Sequence, residues 1–212
     1  MTIKDCAIFF DNNAYSIDTD KLMGRNSAGA SFLKGYFLNG KPENFWVYAK
    51  SREEAQLFAD LLHQYSSRSE ANYIGWNNFI KLEAPGNIFY PAPDFNALAW
   101  QRRYISESSW SICGITHTTA SAKVMDSVGD YYTAPIKNWD ALICTSNSVK
   151  QNVEFILEGK KKYLFDDLGI RVFDGPKLPV IPLGINTKEY EFSQNDKNKA
   201  RKYFNIDTKV LV

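Results

Sequence analysis

The feature that most constrains this chain is a series of short, almost unbroken apolar segments separated by longer amphipathic ones. Among them are CAIFF (6–10), FWVYA (45–49) and WSICGIT (110–116). Strands buried on both faces of a parallel sheet have this composition, whereas the strands of an antiparallel sandwich alternate apolar and polar side chains. The pattern therefore predicts an α/β fold with an open, doubly wound, mainly parallel sheet and helices on both faces. In such a fold, ligands bind beyond the carboxyl ends of the strands.

The remaining segments complete this prediction. Further strands are predicted at 72–76, 87–91, 140–146 and 178–185. Helices are predicted at 28–38, 52–65, 95–106, 118–132 and 148–165. The helix at 52–65 has the clearest apolar stripe, and Ser51 with Glu54 forms a capping box at its start. Asp94 is the predicted N-cap of the helix at 95–106.

The length of 212 residues is generous for one domain and short for two, because a domain usually has about 150 residues. Residues 186–204 are polar and predict a connector with a short helix. The chain then ends in the strand-like sequence DTKVLV (207–212), which has no helix after it. We therefore expect one large domain over 1–190, followed over 191–212 by a connector and the first strand of a truncated second domain.

Charge and composition argue against several functional classes. The 25 Lys and Arg residues balance 24 Asp and Glu residues, so the formal net charge of +1 does not indicate a nucleic-acid partner. The sequence has no run of 18 apolar residues that would predict a transmembrane helix, and its N-terminus does not have the pattern of a signal peptide. The cysteines Cys6, Cys113 and Cys144 all lie within apolar segments, which predicts buried free thiols in a reducing compartment.

The segment MGRNSAGASFLKG (23–35) follows the first predicted strand, at the position where this fold often contacts phosphate or another anion. It is not the dinucleotide-binding GxGxxG, because Gly24 and Gly29 are five residues apart with no glycine between them. It is not a P-loop, because Ala30 stands where a lysine must reach the phosphates. Two interpretations stay open. Either Arg25 and backbone N–H groups bind an anion, or the glycines only permit the turn and close helix packing.

His117 is the more informative of the two histidines. It follows the apolar segment 110–116, at the carboxyl end of a predicted strand, where an imidazole can donate to a substrate hydroxyl or orient a reacting group. The alternative is that it caps the next helix. A nucleophilic triad is not indicated because the sequence has no GxSxG, and a metal site is not indicated because no second His or Cys lies at ligand spacing. The other histidine, His63, is expected on the surface of the helix at 52–65.

Taken in chain order, four segments resemble a known family: GRNSAGASFLKG (24–35), GITHT (114–118), NWDALICTSNSVKQNV (138–153) and LPVIPLGIN (178–186). Over about residues 4–192, the chain resembles the N-terminal Rossmann-like domain of the group 1 (family 4) retaining glycosyltransferases, which have the two-domain GT-B fold. The resemblance implies transfer of a hexose-type sugar from a UDP- or GDP-sugar to a glycan or lipid acceptor, without an obligatory metal cofactor. It also implies that this domain binds the acceptor, that the nucleotide-sugar binds mainly to a C-terminal domain, and that the protein is cytoplasmic, at most peripheral to the membrane.

The resemblance also implies positions for the functional residues. The phosphate and acceptor loop corresponds to Gly24, Arg25, Asn26, Ala28 and Gly29. The active-site histidine corresponds to His117, and the inter-domain segment corresponds to Pro182, Gly184 and Asn186. The chain departs from the family at 27–29, where it has Ser-Ala-Gly and the family often has a Gly-Gly pair. The family's donor-binding basic pair and glutamate motif belong to a C-terminal domain that would begin near Asp207, so a fragment limited to residues before it is expected to be inactive.

Other functions remain open from the sequence. One alternative is a non-catalytic α/β module that binds a carbohydrate or a small anion. A weaker alternative is a nicotinamide-dependent oxidoreductase, because the absence of GxGxxG argues against it. Six aromatic residues offer either sugar-stacking faces or core packing: Tyr73, Trp76, Phe89, Tyr90, Trp100 and Trp110. Asp94, Arg102 and Arg103 are either contacts for a polar acceptor or ordinary charges on a helix surface.

Overall fold

The computed structural model describes residues 5–18, 23–40, 42, 44–66, 69–171 and 173–206. The strand predicted at 207–212, as the start of a second domain, lies outside these residues.

The centre of the fold is a parallel sheet. Its six strands are β1 (Ala7–Phe10), β2 (Phe45–Ala49), β3 (Ala71–Gly75), β4 (Asn87–Tyr90), β5 (Ser111–Ile115) and β6 (Ala141–Ile143). Their spatial order is β3-β2-β1-β4-β5-β6, and every neighbouring pair is parallel. This is the order of a doubly wound, Rossmann-like sheet. The predicted fold class is therefore confirmed.

The central strand β1 shows why the apolar segments are unbroken. Ala7 and Phe9 belong to the core on one face of the sheet, and Ile8 and Phe10 belong to the core on the other face. Ala7 of β1 lies opposite both Trp46 of β2 and a residue of β4, so the strand is covered on its edges as well. Apolar surface removed from water stabilises the fold by about 25 cal/mol per Å². A strand that is covered on both faces contributes such surface from every side chain.

Helices cover both faces of this sheet. They are α1 (Asn12–Tyr15), α2 (Gly24–Asn39), α3 (Arg52–Tyr65), α4 (Asn96–Arg103), α5 (Ala122–Gly129), α6 (Asn147–Leu168) and α7 (Gln194–Tyr203), with short 3-10 helices at Trp76–Glu83, Asp130–Tyr132 and Thr187–Tyr190. Helices α2 and α3 pack on one face, and α4, α5 and α6 contribute to the core on the other. Within the described ranges, no helix has the length and apolar content needed to cross a membrane.

The starts of the helices follow from their capping hydrogen bonds. Ser51 Oγ accepts from the backbone N–H of Glu54 at 3.2 Å, so Ser51 caps α3 as predicted, but the reciprocal bond of a capping box is not formed, because the Glu54 carboxylate accepts from the N–H of Asn12 at 2.8 Å. The predicted cap of α4 by Asp94 is wrong, because the N-cap residue of this helix is Phe95, which makes no side-chain hydrogen bond. Asp94 instead pairs with Lys123 at 3.2 Å. Helix α5 starts later than predicted because Ser121 caps it.

The last predicted strand, 178–185, is wrong. Residues 176–186, which we call the proline segment, form only two isolated bridges beside β6. Because proline has no N–H, Pro179 leaves the ladder without a donor between Lys177 and Ile181, whose N–H groups do bond to the sheet edge. Hydrogen bonds still hold the segment to the sheet edge. The N–H of Cys144 donates to the carbonyl of Pro179 at 2.9 Å, and the N–H of Ile181 donates to the carbonyl of Cys144 at 3.0 Å.

A buried ion pair joins α4 to the start of β6. Arg102 and Asp140 are both fully buried, and two guanidinium nitrogens donate to the carboxylate oxygens at 2.6 and 2.8 Å. The same guanidinium also donates to two backbone carbonyls at 2.9 Å. Arg102 is therefore a structural residue rather than a contact for an acceptor. Its neighbour Arg103 makes an exposed pair with Glu107.

Candidate functional site

A cavity of about 620 Å³ opens at the carboxyl ends of the strands, between α2, the sheet and the proline segment. This volume lies in the usual range for small-molecule sites. Three segments that the sequence singled out meet at this cavity. Their lining residues are Ala28 and Gly29 from α2, His117 from the turn after β5, and Pro182, Gly184 and Asn186 from the proline segment.

The predicted phosphate and acceptor loop is the beginning of α2 rather than a loop. The helix starts at Gly24 and includes all the predicted residues, namely Gly24, Arg25, Asn26, Ala28 and Gly29. Gly24 and Arg25 are exposed at its N-terminus and are not lining residues of the cavity. Arg25 is nevertheless close enough to His117 for its charge to affect the imidazole. The N-terminus of α2, with the positive end of the helix dipole, thus lies near the cavity.

Asn26 explains why this segment is helical from its first residue. It is buried, and its Oδ1 accepts from the backbone N–H of Met23 at 3.1 Å. Its Nδ2 donates to the carbonyl of Asn13 at 2.7 Å, which ties α2 to α1. Because both side-chain polar atoms are used in this way, Asn26 holds the helix end in position and does not face the cavity.

Gly29 is required by a close approach of two helices. It is buried, and a Cβ added to it would overlap with the carbonyl oxygen of Ala14 and lie 3.2 Å from the ring of Tyr15. The glycine therefore lets α2 pack directly on α1, which was one of the two interpretations of the sequence. Tyr15 also lines the cavity, and its hydroxyl donates to the carbonyl of Phe9 at 3.0 Å.

His117 is half-buried and stands on a firmly held turn. The preceding residue, Thr116, is buried, and its Oγ1 donates to the carbonyl of Ile143 at 3.1 Å and accepts from the N–H of Thr145 at 3.2 Å. Burial lowers the pKa of the His117 imidazole, and the nearby Arg25 charge adds to this decrease, while the backbone of Pro91 acts against it. The imidazole is therefore neutral at pH 7, with one nitrogen able to donate and the other able to accept.

The proline segment closes the cavity from the opposite side. Asn186 Nδ2 donates to Ser31 Oγ of α2 at 3.4 Å, so the segment reaches across to the helix. Pro182 and Gly184 lie between this contact and the hydrogen bonds that hold residue 181 to the sheet edge. A Cβ added to Gly184 would meet no atom within 4 Å, so this glycine is not needed for packing within the described residues.

The walls of the cavity contain aromatic residues to which the sequence assigned no site role. Phe32 of α2 stacks on Phe89 of β4, with ring centroids 4.2 Å apart, and Tyr36 lies one turn further along the helix. The helical spacing of Phe32 and Tyr36 indicated only that both lie on one side of α2. Which face of the sheet they meet depends on where the chain crosses after β1, and this is a property of the topology.

Four of the six aromatic residues proposed as sugar-stacking faces or core residues belong to the core or pack against it. Trp110 and Phe89 are buried in the core, and Trp76 and Tyr90 pack against it. Tyr73 and Trp100 are partly exposed, on parts of the surface away from the cavity. Of the six, only Phe89 lines the cavity. The described residues contain no group of three or more His, Cys, Asp or Glu side chains placed to hold a metal ion.

Comparisons with known proteins bear on the fold. No protein-family model and no curated protein matches this chain. Among solved structures, the chain is similar to HepE of Anabaena, determined in complex with UDP-glucose, with 12% sequence identity and a TM-score of 0.53. The match covers 94% of this chain and 50% of HepE, so the chain spans about half the length of that protein. At this identity the likeness concerns the fold, and it agrees with the parallel α/β architecture.

A second solved structure is the bulky-bulky ketone specific alcohol dehydrogenase of Comamonas testosteroni. It aligns with 11% identity over 100% of this chain and 98% of that chain, with a TM-score of 0.35. A TM-score at this level supports no argument, so the oxidoreductase alternative gains nothing from it.

Proposed function

We propose that this chain is the N-terminal, acceptor-binding domain of a nucleotide-sugar-dependent glycosyltransferase with the GT-B fold, of the retaining family 4 type. In this proposal the UDP- or GDP-sugar donor binds mainly to a second, C-terminal domain. A hexose-type sugar is transferred to a glycan or lipid acceptor in the cleft between the domains, without an obligatory metal cofactor. The protein works in the cytoplasm, at most peripheral to the membrane.

The observation that carries the proposal is the convergence of three distant segments on one cavity. Residues 28–29, His117 and residues 182–186 are separated by more than 60 positions in the chain, and all line the same space. The sequence alone predicts site residues in each of the three segments. Their meeting at the carboxyl ends of a doubly wound sheet supports a site there, because this is where such folds bind their ligands. The fold similarity to a protein solved with UDP-glucose gives further support.

His117 is the proposed catalytic residue. Because its lowered pKa keeps the imidazole neutral at pH 7, it can donate a hydrogen bond to a hydroxyl of the sugar or accept one from the acceptor. Arg25 and the N-terminus of α2 supply positive charge close to it, which would stabilise a departing diphosphate. The apolar walls of the cavity exclude water from a cationic sugar in the transition state.

The direct test is the turnover of UDP- and GDP-sugars by the full-length natural protein, followed as nucleotide release with and without acceptors. The variant His117→Ala is expected to lose at least about a hundredfold in turnover. His63→Ala is the matched control, since His63 is exposed on α3 and should leave turnover unchanged. Equal loss in both variants, or no loss in His117→Ala, would remove His117 from the site. Failure of all nucleotide-sugars to react would contradict the proposed function.

Calorimetry on residues 1–212 separates this proposal from a non-catalytic binding module. The glycosyltransferase proposal puts most nucleotide contacts on another domain, so UDP-glucose and GDP-glucose should bind this chain weakly or not detectably. Tight binding of a nucleotide or a free sugar by these residues alone would favour the α/β carbohydrate- or anion-binding module instead.

A further inference from the structure

The cavity extends along one side of α2 as a groove. Its lining residues on this helix and its cap run from Ala28 to Gly40, and at 1.5 Å per residue this is a length of about 18 Å. The helix starts near the carboxyl ends of the strands, where Gly29 meets Ala14 after β1. It ends near their amino ends, where the Tyr36 hydroxyl donates to a carbonyl just before β1. The groove therefore has two distinct ends.

Three polar side chains lie at the carboxyl end of the groove. His117 lies there, together with the Ser31 hydroxyl and the Asn186 amide, which contact each other at 3.4 Å. At the other end, the Tyr36 hydroxyl and the Asn39 amide are both engaged as donors to backbone carbonyls, at 3.4 and 3.1 Å. Most of the length of the groove thus offers a ligand few hydrogen-bonding groups.

Most of the remaining lining of the groove is apolar. On the sheet it is formed by Phe89, Ile115 and Ile143. On the proline segment it is formed by Ile181, Leu183 and Ile185, whose side chains are between 50% and 69% exposed. Such exposed apolar walls gain free energy from an apolar occupant in proportion to the area covered. A polar glycan in the same place would lose hydrogen bonds to water that the walls cannot replace.

We propose that the acceptor is an amphiphile, with an extended hydrocarbon chain in this groove and a hydroxylated head at His117. The inference rests on the proposed function, which leaves a glycan and a lipid acceptor both open, and it selects the lipid. The hydrocarbon chain lies along α2 between the sheet and the proline segment. The head reaches Ser31, Asn186 and His117, which are polar side chains at the carboxyl end of the groove.

The first test uses n-alkyl β-D-glucosides with tails of six to ten carbons as probes, in a concentration range below micelle formation. Their binding to residues 1–212 is measured by calorimetry, with no nucleotide-sugar present. The dissociation constant is expected to fall about fourfold for each added methylene, which corresponds to about 0.8 kcal/mol. An affinity that does not depend on tail length would overturn the proposal, because the head alone would then account for binding.

The second test blocks the groove. Gly35 lines it, and a Cβ added there meets no atom within 4 Å, so Gly35→Phe places a ring in open space. This variant should bind the decyl glucoside at least about tenfold more weakly. Gly159→Phe is the control, since Gly159 is a helical glycine on α6 with equally open surroundings, and it should bind as the unchanged chain does. If Gly35→Phe does not fold, Ile185→Asp tests the opposite wall of the groove, on the proline segment, from an exposed position. The proposal would be overturned if the folded groove variant, Gly35→Phe or Ile185→Asp, bound the decyl glucoside as tightly as Gly159→Phe does.

The outcomes distinguish this inference from the proposed function. Binding that depends on tail length, without turnover of any nucleotide-sugar by the full-length protein, supports the amphiphile site and contradicts the glycosyltransferase. Sugar transfer to a water-soluble glycan, without any binding of alkyl glucosides, supports the glycosyltransferase and overturns the amphiphile. Analytical sedimentation of the chain tests whether a second copy of it occupies the groove. Self-association that Gly35→Phe abolishes, without binding of the probes, would mean that a second copy of the chain covers the groove, and this also overturns the proposal.

Discussion

We predict that replacing glycine by alanine has opposite effects on stability at two positions of α2. Gly29 and Gly35 both lie inside the helix, so replacing either by alanine removes the same conformational cost, about 0.5–1 kcal/mol. Their surroundings differ. An added Cβ at Gly35 meets nothing within 4 Å, while one at Gly29 would overlap with the Ala14 carbonyl oxygen. Gly35→Ala should therefore stabilise the chain, and Gly29→Ala should destabilise it.

The size of the difference follows from these contacts. The propensity gain is common to both variants and cancels when they are compared. What remains is the overpacking at Gly29, which costs about 1–3 kcal/mol when backbone has to move. Since the clash is with backbone of α1 rather than with the end of a flexible side chain, we expect a value in the upper part of this range. The shift would also move Tyr15, which lines the cavity.

Equilibrium urea unfolding of the two variants and the unchanged chain, followed by circular dichroism, measures this difference. The expected order of unfolding free energy is Gly35→Ala, then the unchanged chain, then Gly29→Ala. The reasoning would be refuted if Gly29→Ala were as stable as Gly35→Ala with the same denaturant dependence. That result would mean that α1 and α2 do not pack as closely as the structure shows.

Further predictions concern buried charges, pH and thiols. Asp140→Ala should cost about 3–5 kcal/mol of unfolding free energy because it leaves a buried guanidinium unpaired, whereas Arg103→Ala in the neighbouring exposed pair should cost less than about 1 kcal/mol in the same urea assay. Because the pKa of His117 is lowered in the folded chain, the unfolded chain binds more protons than the folded chain below about pH 6.5. The free energy of unfolding should therefore decrease as the pH is lowered from this value to the pKa of the folded chain. His117→Gln should flatten that part of the profile, and an unchanged slope would contradict the burial of the imidazole. Burial raises the pKa of Cys6 to about 12 and that of Cys113 to about 11, so at pH 8 iodoacetamide should label Cys113 about a hundredfold and Cys6 about a thousandfold more slowly in the folded than in the unfolded chain. Rapid labelling of the folded chain would show that these thiols are open to solvent.

The sequence predicted the sheet well because most strands of the sheet are short apolar runs. The strands that include residues 45–49 and 87–90 were found within a residue, since buried positions on both faces leave no ambiguity about the segment. The prediction was wrong for 178–185, which is equally apolar. Hydrophobicity marks a buried or edge segment, but the ladder needs a backbone N–H at each donor position, and Pro179 has none.

The site was only partly predictable for a related reason. His117 and the residues of the proline segment were singled out by their place after apolar segments, a local property. The loop at 24–29 was wrong because two glycines suggested a turn, while the buried Asn26 side chain supplies the hydrogen bonds that start a helix. Phe32 was not assigned to the site at all, because its contact with Phe89 joins segments that only the strand order brings together.

The position of the groove follows from the order in which the strands are laid down. The chain leaves β1 through α2 and returns to β2, so this helix and α3 cover the side of the sheet away from β5 and β6. After β4 the helices α4, α5 and α6 contribute to the opposite core. Within the described part of the chain, no helix therefore covers Ile115 and Ile143 on the face that they share with α2. The proline segment passes along this opening, and the cavity lies between it and α2. The apolar groove beside His117 is thus a consequence of the crossover pattern, which places no described helix over this end of the face.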